Sequence, residues 1–198
     1  MNIAIVGATG NVGRKLIEVL EKKNFPISEL FLIASSKSVG KKINYNDKEH
    51  LVIDLEKFDF SKVKIAFFAA GSAIAEKWAH IAAEKTIVID NSKFFRKDSD
   101  IPLIVPEVNS KELIKFKNKN IISNANCSVI PIVVALKPLH DLYNIKRIVV
   151  STYQSVSGAG KAPMDELLSQ TQEFFENKKI VSKYFTKQIA FNAIPHID

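Results

Sequence analysis

Apolar residues fall along the chain in short dense runs separated by stretches of helical periodicity. NIAIV (2–6) is nearly all apolar, as expected of a strand covered on both faces. A glycine-bearing turn over 7–13 follows. From 12 to 23 apolar residues recur at helical spacing, with Val12, Leu16, Ile17 and Leu20 on one face. ELFLIAS (29–35) reads as a second buried strand, the polar stretch 36–46 as a loop, and HLVIDL (50–55) as a strand. VKIAFFAA (63–70) is a buried strand, 72–85 a helix, and TIVIDNS (86–92) a strand ending in a polar turn. IPLIVPEVN (101–109) reads as extended, with its prolines at edges. A short helix over 110–116 leads to a strand in NIISN (120–124).

Strands alternating with helices at this spacing predict an α/β fold with a parallel sheet. Right-handed crossovers put the carboxyl ends of the strands, and the loops after them, on one side, where such sheets bind ligands. Gly7, Gly71, Asn91 and Cys127 all fall just after predicted strands, so they are expected to share that edge. Beyond Cys127 the pattern changes. VIPIVVALKPLHDL (129–142) predicts a helix with Pro131 in its first turn and a kink at Pro138. IKRIVVSTYQ (145–154) reads as a long strand, SVSGAG (155–160) as a turn and APMDELLSQTQEFFEN (162–177) as a helix. IAFNAIPHID (189–198) is still apolar and strand-like, so the second domain is expected to be incomplete.

A chain of 198 residues can hold one large domain or one and a half. The net charge of +7 raises a polyanion as a partner. The lysines, however, are scattered beside acidic and polar residues, so a solvated basic surface is expected rather than nucleic-acid binding. The single cysteine rules out an intramolecular disulfide framework. The chain opens on a strand with no basic leader, and its apolar runs fall short of the roughly 20 residues that span a bilayer. A cytoplasmic protein with no membrane partner is the expectation, which makes the formal glycosylation acceptor Asn126-Cys127-Ser128 meaningless.

Three stretches carry chemistry. GATGNVG spaces glycines at 7, 10 and 13, and offers Gly7, Thr9, Gly10, Asn11 and Val12 as a cofactor turn. Small residues let backbone approach a pyrophosphate, and a helix N-terminus adds free N–H groups and the positive end of a dipole. The alternative is a strand-to-helix turn with packing glycines. SSKS (35–38) ends the second strand without the acid that usually holds an NAD ribose. Lys37 with Ser35, Ser36 and Ser38 would instead suit a 2′-phosphate, which favours NADP, unless Lys37 is merely a solvated loop residue. Cys127 is placed where a helix begins. There the dipole and free N–H groups favour thiolate, the nucleophilic form, and could also hold an oxyanion. Alone it could equally be buried packing. Beside a nicotinamide, such a thiol suggests aldehyde and acyl redox chemistry through a thioester.

Taken in order, GATGNVG, DNSKFFR, VPEVN, SNANCSV, TYQSVSGAG and FNAIPHID resemble the aspartate-semialdehyde dehydrogenase family over essentially the whole chain. The resemblance implies a Rossmann-type NAD(P)-binding domain over 1–127 and an incomplete α+β catalytic and dimerisation domain over 128–198. It implies NADPH-dependent reductive dephosphorylation of L-4-aspartyl phosphate to aspartate semialdehyde, in lysine, threonine and methionine synthesis, by a homodimer when complete. On it, Cys127 is the nucleophile and Asn126 its neighbour in the Asn-Cys pair. Arg96 binds the acyl phosphate, and Gln154 positions the acyl intermediate. Ser157 and Gly158 lie near the nicotinamide, and Gly71 and Ser72, with Asn91, form further cofactor-side turns. No metal is implied.

The departures are specific. The family's NPNC reads NANC here, a serine of its DNSS segment is Lys93, and an arginine of its 2′-phosphate loop is Lys37. Family chains also continue past FNxxPxID into a part holding the histidine acid/base, an arginine for the substrate carboxylate and a glutamate for its amine. His50, His80, His140 and His196 do not match that histidine. The chain alone is therefore expected to be inactive or severely impaired: a shortened chain, a truncated gene product or one piece of a split enzyme. Two alternatives remain open. One is N-acetyl-γ-glutamyl-phosphate reductase, whose NPGCY segment NANCSV does not resemble. The other is a non-catalytic nucleotide-binding fragment, with exposed apolar surface and poor solubility.

Overall fold

In the computed structural model, which describes residues 1–195, the apolar runs assemble into an eight-stranded sheet. In chain order its first elements are β1 (Asn2–Val6), α1 (Asn11–Lys22), β2 (Glu29–Ala34), β3 (Lys42–Tyr45) and β4 (Lys48–Asp54). Then come β5 (Ile65–Phe68), α2 (Ser72–Ala83), β6 (Ile87–Asp90), β7 (Leu103–Ile104), α3 (Pro106–Asn109), β8 (Ile121–Asn124) and α4 (Val129–Tyr143). A last helix, α5, spans Lys161–Phe175. The strand order is β3-β4-β2-β1-β5-β6-β8-β7. Every pairing is parallel except β3 with β4. This is the Rossmann-type architecture that the alternation of strands and helices predicts.

Strand periodicity sorts β1 onto two cores. Ile3 and Ile5 pack with Leu32, Val52 and the α1 residues Ile17 and Leu20. Ala4 and Val6 face the other way and join Ile33, Phe68, Val88, Ile121 and the α2 residues Ala75 and Ala79. Both faces of the central strand are thus covered, which is why NIAIV shows no polar alternation.

Several expectations need correction. Val12 is 55% exposed and outside the core, since Gly13, not Val12, is the buried residue in the first turn of α1. The stretch 36–46 is not a plain loop. It holds β3, which pairs with β4 across a turn whose Asn46 and Asp47 both take positive φ, the two-residue hairpin geometry that asparagine and aspartate tolerate. Only Leu103–Ile104 of 101–109 is strand, because Pro106 starts the short helix α3. The run 145–154 forms no regular strand, and Val149 and Tyr153 are 79% and 92% exposed. A strand needs a neighbour for its backbone groups, and this run has none among the described residues. The described part of the last apolar run, 189–195, is likewise not strand; His196 lies outside the described residues.

The chain divides into two compact units, Met1–Ile145 and Lys146–Asp198. Helix α4, placed in the second domain by sequence, groups with the first. In the second unit, α5 carries two polar side chains that are buried because they hold irregular backbone. Glu166 accepts the N–H groups of Lys183 and Tyr184, at 3.1 and 2.5 Å. Gln170 Oε1 accepts those of Ile189 and Ala190, at 2.8 and 3.1 Å. One turn apart on a helix face, the pair satisfies backbone that no strand ladder serves.

Candidate active site

Because β1, β5, β6 and β8 are parallel neighbours, the segments that leave them emerge along one edge. The order also reverses beside β1: β2 lies on one side of it and β5 on the other. That reversal opens the crevice in which doubly wound sheets hold ligands.

The turn after β1 is tight because backbone lies where a Cβ on Gly7 or Gly13 would stand. Gly7 has φ +88°, and its N–H donates to the Ile33 carbonyl at 2.8 Å. A Cβ on Gly7 would lie 2.5 Å from the Ala69 carbonyl oxygen, and one on Gly13 only 2.2 Å from the Gly7 oxygen. These two glycines let the turn nest against the end of β5 and the helix against the turn. Gly10 precedes α1 with no side-chain cap and no acid in the first turn. The N–H groups and dipole at this end are therefore not offset by a carboxylate, and Gly10, Asn11 and Val12 are exposed, with Thr9 half-buried. This arrangement fits an anionic pyrophosphate. After β2, Ser36–Ser38 forms a 3-10 turn in which Ser35, Ser36 and Lys37 are exposed, Ser38 is half-buried and no acid intervenes. Gly71, φ +84°, precedes α2 with open space where a Cβ would stand, and Ser72 begins the helix.

The turns after β6 and β8 are tied to each other. Asn124 Nδ2 donates to Asn91 Oδ1 at 2.7 Å. Arg96 closes the link: its Nε donates to the Asn124 carbonyl at 3.1 Å and its Nη2 to the Asn91 carbonyl at 3.3 Å. Two of the five guanidinium N–H groups are thereby used on backbone, which fixes the plane of the rest. Beneath this bracket Asp90 is fully buried. Burial pushes its carboxyl above the usual aspartate range, against the opposing pull of Ser92 and of the Arg96 charge.

Three residues on from Asn124 stands Cys127, exposed. Asn126 shapes its turn. The Asn126 Oδ1 accepts the Ser128 N–H at 2.9 Å and the Ser128 hydroxyl at 2.6 Å. Its carbonyl accepts the Val129 and Ile130 N–H groups at 3.0 and 3.1 Å. Asn126 thus caps the entry to α4, and Cys127 occupies the first position inside the cap. Sequence reasoning placed Cys127, Asn126, Arg96 and Asn91 but passed over Asn124 and the pair Asp90 and Ser92. A polar residue closing an apolar strand, as in IISN and IVID, is the signal that could have found them. Gln154, Ser157 and Gly158 belong to the second unit. There Gln154 is exposed beside a groove with Leu167 and Phe191, and Ser157 donates its N–H to Ser155 Oγ at 3.1 Å.

Comparison with known proteins identifies the family and the fold. The semialdehyde dehydrogenase NAD-binding domain matches residues 2–116, and the semialdehyde dehydrogenase dimerisation domain matches 136–198. Aspartate-semialdehyde dehydrogenase 2 of Vibrio cholerae is 53% identical over 198 residues, covering 100% of this chain and 59% of the relative. The crystal structure of aspartate semialdehyde dehydrogenase II from the same organism, complexed with ASA, superposes with a TM-score of 0.97 at 52% identity, over 100% of this chain and 59% of that one. A Candida albicans aspartate semialdehyde dehydrogenase structure with NADP gives a TM-score of 0.58 at 26% identity, over 73% of this chain and 48% of that one. The chain spans 59% of the length of the Vibrio relative it matches. Among the described residues no helix is long and apolar enough to cross a membrane.

Proposed function

The chain belongs to the semialdehyde dehydrogenase family, and on that premise we propose that its protein reduces L-4-aspartyl phosphate to aspartate semialdehyde with NADPH, releasing phosphate. The observation that carries the proposal is the exposed Cys127 at the capped start of α4, on the same sheet edge as the glycine turn and the Arg96 bracket. Identity of 53% to a Vibrio cholerae aspartate-semialdehyde dehydrogenase supports the choice of substrate.

In this reading the Cys127 sulfur attacks the acyl carbonyl of aspartyl phosphate. A C–S bond forms, the C–O bond to phosphate breaks, and phosphate leaves. Asn126 takes the Ser128, Val129 and Ile130 N–H groups, so the oxyanion that develops during the attack is left the Cys127 N–H and the positive end of the α4 dipole. Arg96, its plane fixed by two backbone carbonyls, offers its remaining N–H groups to the phosphate in a fork suited to that anion. Asn126 keeps Cys127 at the helix start, and Gln154 positions the acyl group. The thiol proton goes to the family's histidine, which the resemblance assigns to a part of the relatives that these residues do not span. NADPH, when bound, would supply a hydride to the thioester carbon, and breaking of the C–S bond then frees the aldehyde and returns the Cys127 thiolate.

Gly7, Thr9, Gly10, Asn11 and Val12 would hold the pyrophosphate, Ser35, Ser36, Lys37 and Ser38 the 2′-phosphate, and Gly71, Ser72, Asn91, Ser157 and Gly158 the nicotinamide side. Lys37, the missing acid and the NADP in the Candida structure support NADP over NAD. A homodimer formed through the second domain accords with the dimerisation-domain match, and a biosynthetic role accords with the cytoplasm.

The test is a complete enzyme carrying this sequence, incubated with aspartate semialdehyde, phosphate and NADP. Reduced nicotinamide should accumulate, and a folded sample that gives none overturns the reading. N-acetylglutamate semialdehyde in the same assay discriminates the related reductase. Cofactor binding by a complete enzyme without turnover would leave a nucleotide-binding protein.

A further inference from the structure

The sheet register exposes a polar intrusion into the apolar core. Across the carboxyl edge, Val6 pairs with Phe68, Phe68 with Asp90, and Asp90 with Ser123. Strand periodicity puts Asp90 and Ser123 on the face of Val88 and Ile121, two residues earlier, and those are core residues of the α2 side. Both polar residues are fully buried. Asp90 Oδ1 and Ser123 Oγ have no hydrogen-bond partner among the described residues. An apolar pair at these positions would extend the core and leave no oxygen unsatisfied. A polar group kept where the local rule calls for hydrocarbon points to a task elsewhere.

The other carboxylate oxygen shows what that task is. Asp90 Oδ2 accepts the Ser92 hydroxyl at 2.6 Å, and Ser92 Oγ in turn accepts the Phe94 N–H at 3.1 Å. This relay folds the turn that begins at Asn91 and ends at Arg96, with Phe95 sunk into the core between them. Asn91 and Arg96 are the two ends of the bracket that grips Asn124.

We infer that Asp90 is a positioning residue which, through Ser92, fixes the turn that aims the Arg96 guanidinium at the segment leading to Cys127. Asp90 touches no substrate in this scheme. Its carboxylate serves as the anchor for a hydroxyl that is itself the acceptor for backbone. The part of the inference that concerns phosphate rests on the reading of Arg96 given above.

Arg14, Arg96 and Arg147 are the arginines of the chain, so the Arg96 Nε–H can be resolved by NMR of a labelled sample. In the unsubstituted protein this proton should exchange slowly, because it is bonded to the Asn124 carbonyl. Ser92→Ala removes one oxygen from the relay and should speed exchange at Arg96 at least about tenfold, the size expected for loss of a net hydrogen bond. Arg14 and Arg147 should be unmoved. Asp90→Ala should do the same, and Asp90→Asn, which keeps an acceptor for the Ser92 hydroxyl, should restore slow exchange. Unchanged Arg96 exchange in Ser92→Ala overturns the inference, even if Asp90→Ala fails to fold.

A second arm measures the KM for inorganic phosphate in the complete enzyme. Ser92→Ala should raise it about tenfold while leaving the KM for NADP in place. If the NMR effect appears and this KM does not move, Arg96 is held as inferred and the phosphate reading of Arg96 fails instead.

Discussion

The side chains of Asn91 and Asn124 meet in one hydrogen bond of 2.7 Å, and it joins the turn after β6 to the turn after β8. The two asparagines stand 33 positions apart in the sequence. The bond gives Arg96 two carbonyls in fixed relation, and it ties the cysteine-bearing turn to the rigid sheet. Asn124→Ala removes the donor and leaves the half-buried Asn91 Oδ1 short of a partner. A stability loss of about 1–2 kcal/mol is expected from chemical denaturation. In the complete enzyme kcat/KM should fall about tenfold or more, since placement near the reacting centre is sensitive to small displacements.

Gly7 and Gly13 of the first turn should cost far more to replace by alanine than Gly40, which lies between β2 and β3. Gly13→Ala puts a Cβ 2.2 Å from the Gly7 oxygen, and Gly7→Ala puts one 2.5 Å from the Ala69 oxygen at φ +88°. Both obstacles are backbone and cannot swing away. Losses of about 3 kcal/mol or more are expected, at the upper end of overpacking costs. Gly40→Ala meets nothing within 4 Å and has only its φ of +80° to bear, which costs about 1–2 kcal/mol. Urea midpoints of the three variants should fall in that order, and equal midpoints would refute the packing role given to Gly7 and Gly13.

Much of this was legible because the signals were local. β1 and α1 were found from an apolar run, glycines and a 3.6 period, and the parallel sheet followed from the alternation. The hairpin of β3 and β4 was not. Lys42, Ile43, Asn44 and Tyr45 alternate correctly, but four residues among lysines give a pattern too short to separate from loop, and the Asn46-Asp47 turn lacks the glycine that usually announces it. The opposite error fell on 145–154. Val149 and Val150 have strand propensity, but propensity supplies no hydrogen-bonding neighbour, and the run stays unpaired among the described residues. In the site, Cys127 and Arg96 stood out by residue type. Asn124, Asp90 and Ser92 act through contacts across strands, and nothing in their own neighbourhood records the partner.

Cys127→Ser should abolish turnover in the complete enzyme, by a factor of about 10³ or more, because a serine hydroxyl gives up its proton far less readily than a thiol and is a weak nucleophile at neutral pH. Cofactor titration of the variant should be unchanged. Asn126→Ala should act more mildly. It removes the acceptor of the Ser128 N–H and hydroxyl, costs about 1 kcal/mol as a lost cap, and should lower kcat more than it raises KM. A variant with Cys127 replaced and turnover intact would end the thioester mechanism.

Lys37 stands exposed in the turn after β2 with serines on both sides. If it meets the 2′-phosphate of NADPH, Lys37→Glu replaces attraction by repulsion at that group alone. A charge-assisted hydrogen bond contributes about 1.5–3 kcal/mol, so NADPH should bind at least about tenfold more weakly. NADH, which lacks the phosphate, should bind as before or better. Fluorescence titration of both cofactors reads this directly, and equal losses for the two would assign Lys37 to the solvated surface.

Asp90 predicts the sign of one pH effect. Its folded-state carboxyl titrates above its ordinary value because burial disfavours the charge. In the unfolded chain it ionises near pH 4. Below that value both states hold the proton, and the neutral acid costs the fold least. As pH rises through the raised folded value, the folded state must either keep a proton the unfolded state has released or bury a charge, and stability drains away. Asp90→Asn removes this term. It keeps an acceptor for the Ser92 hydroxyl. The difference in unfolding free energy between Asp90→Asn and the unsubstituted chain should therefore grow in favour of the variant as pH climbs from about 4 towards neutrality. Denaturation at several pH values measures it. A difference that shrinks or reverses over that range would mean that Ser92 and Arg96 outweigh burial and that Asp90 is held ionised at a net gain to the fold.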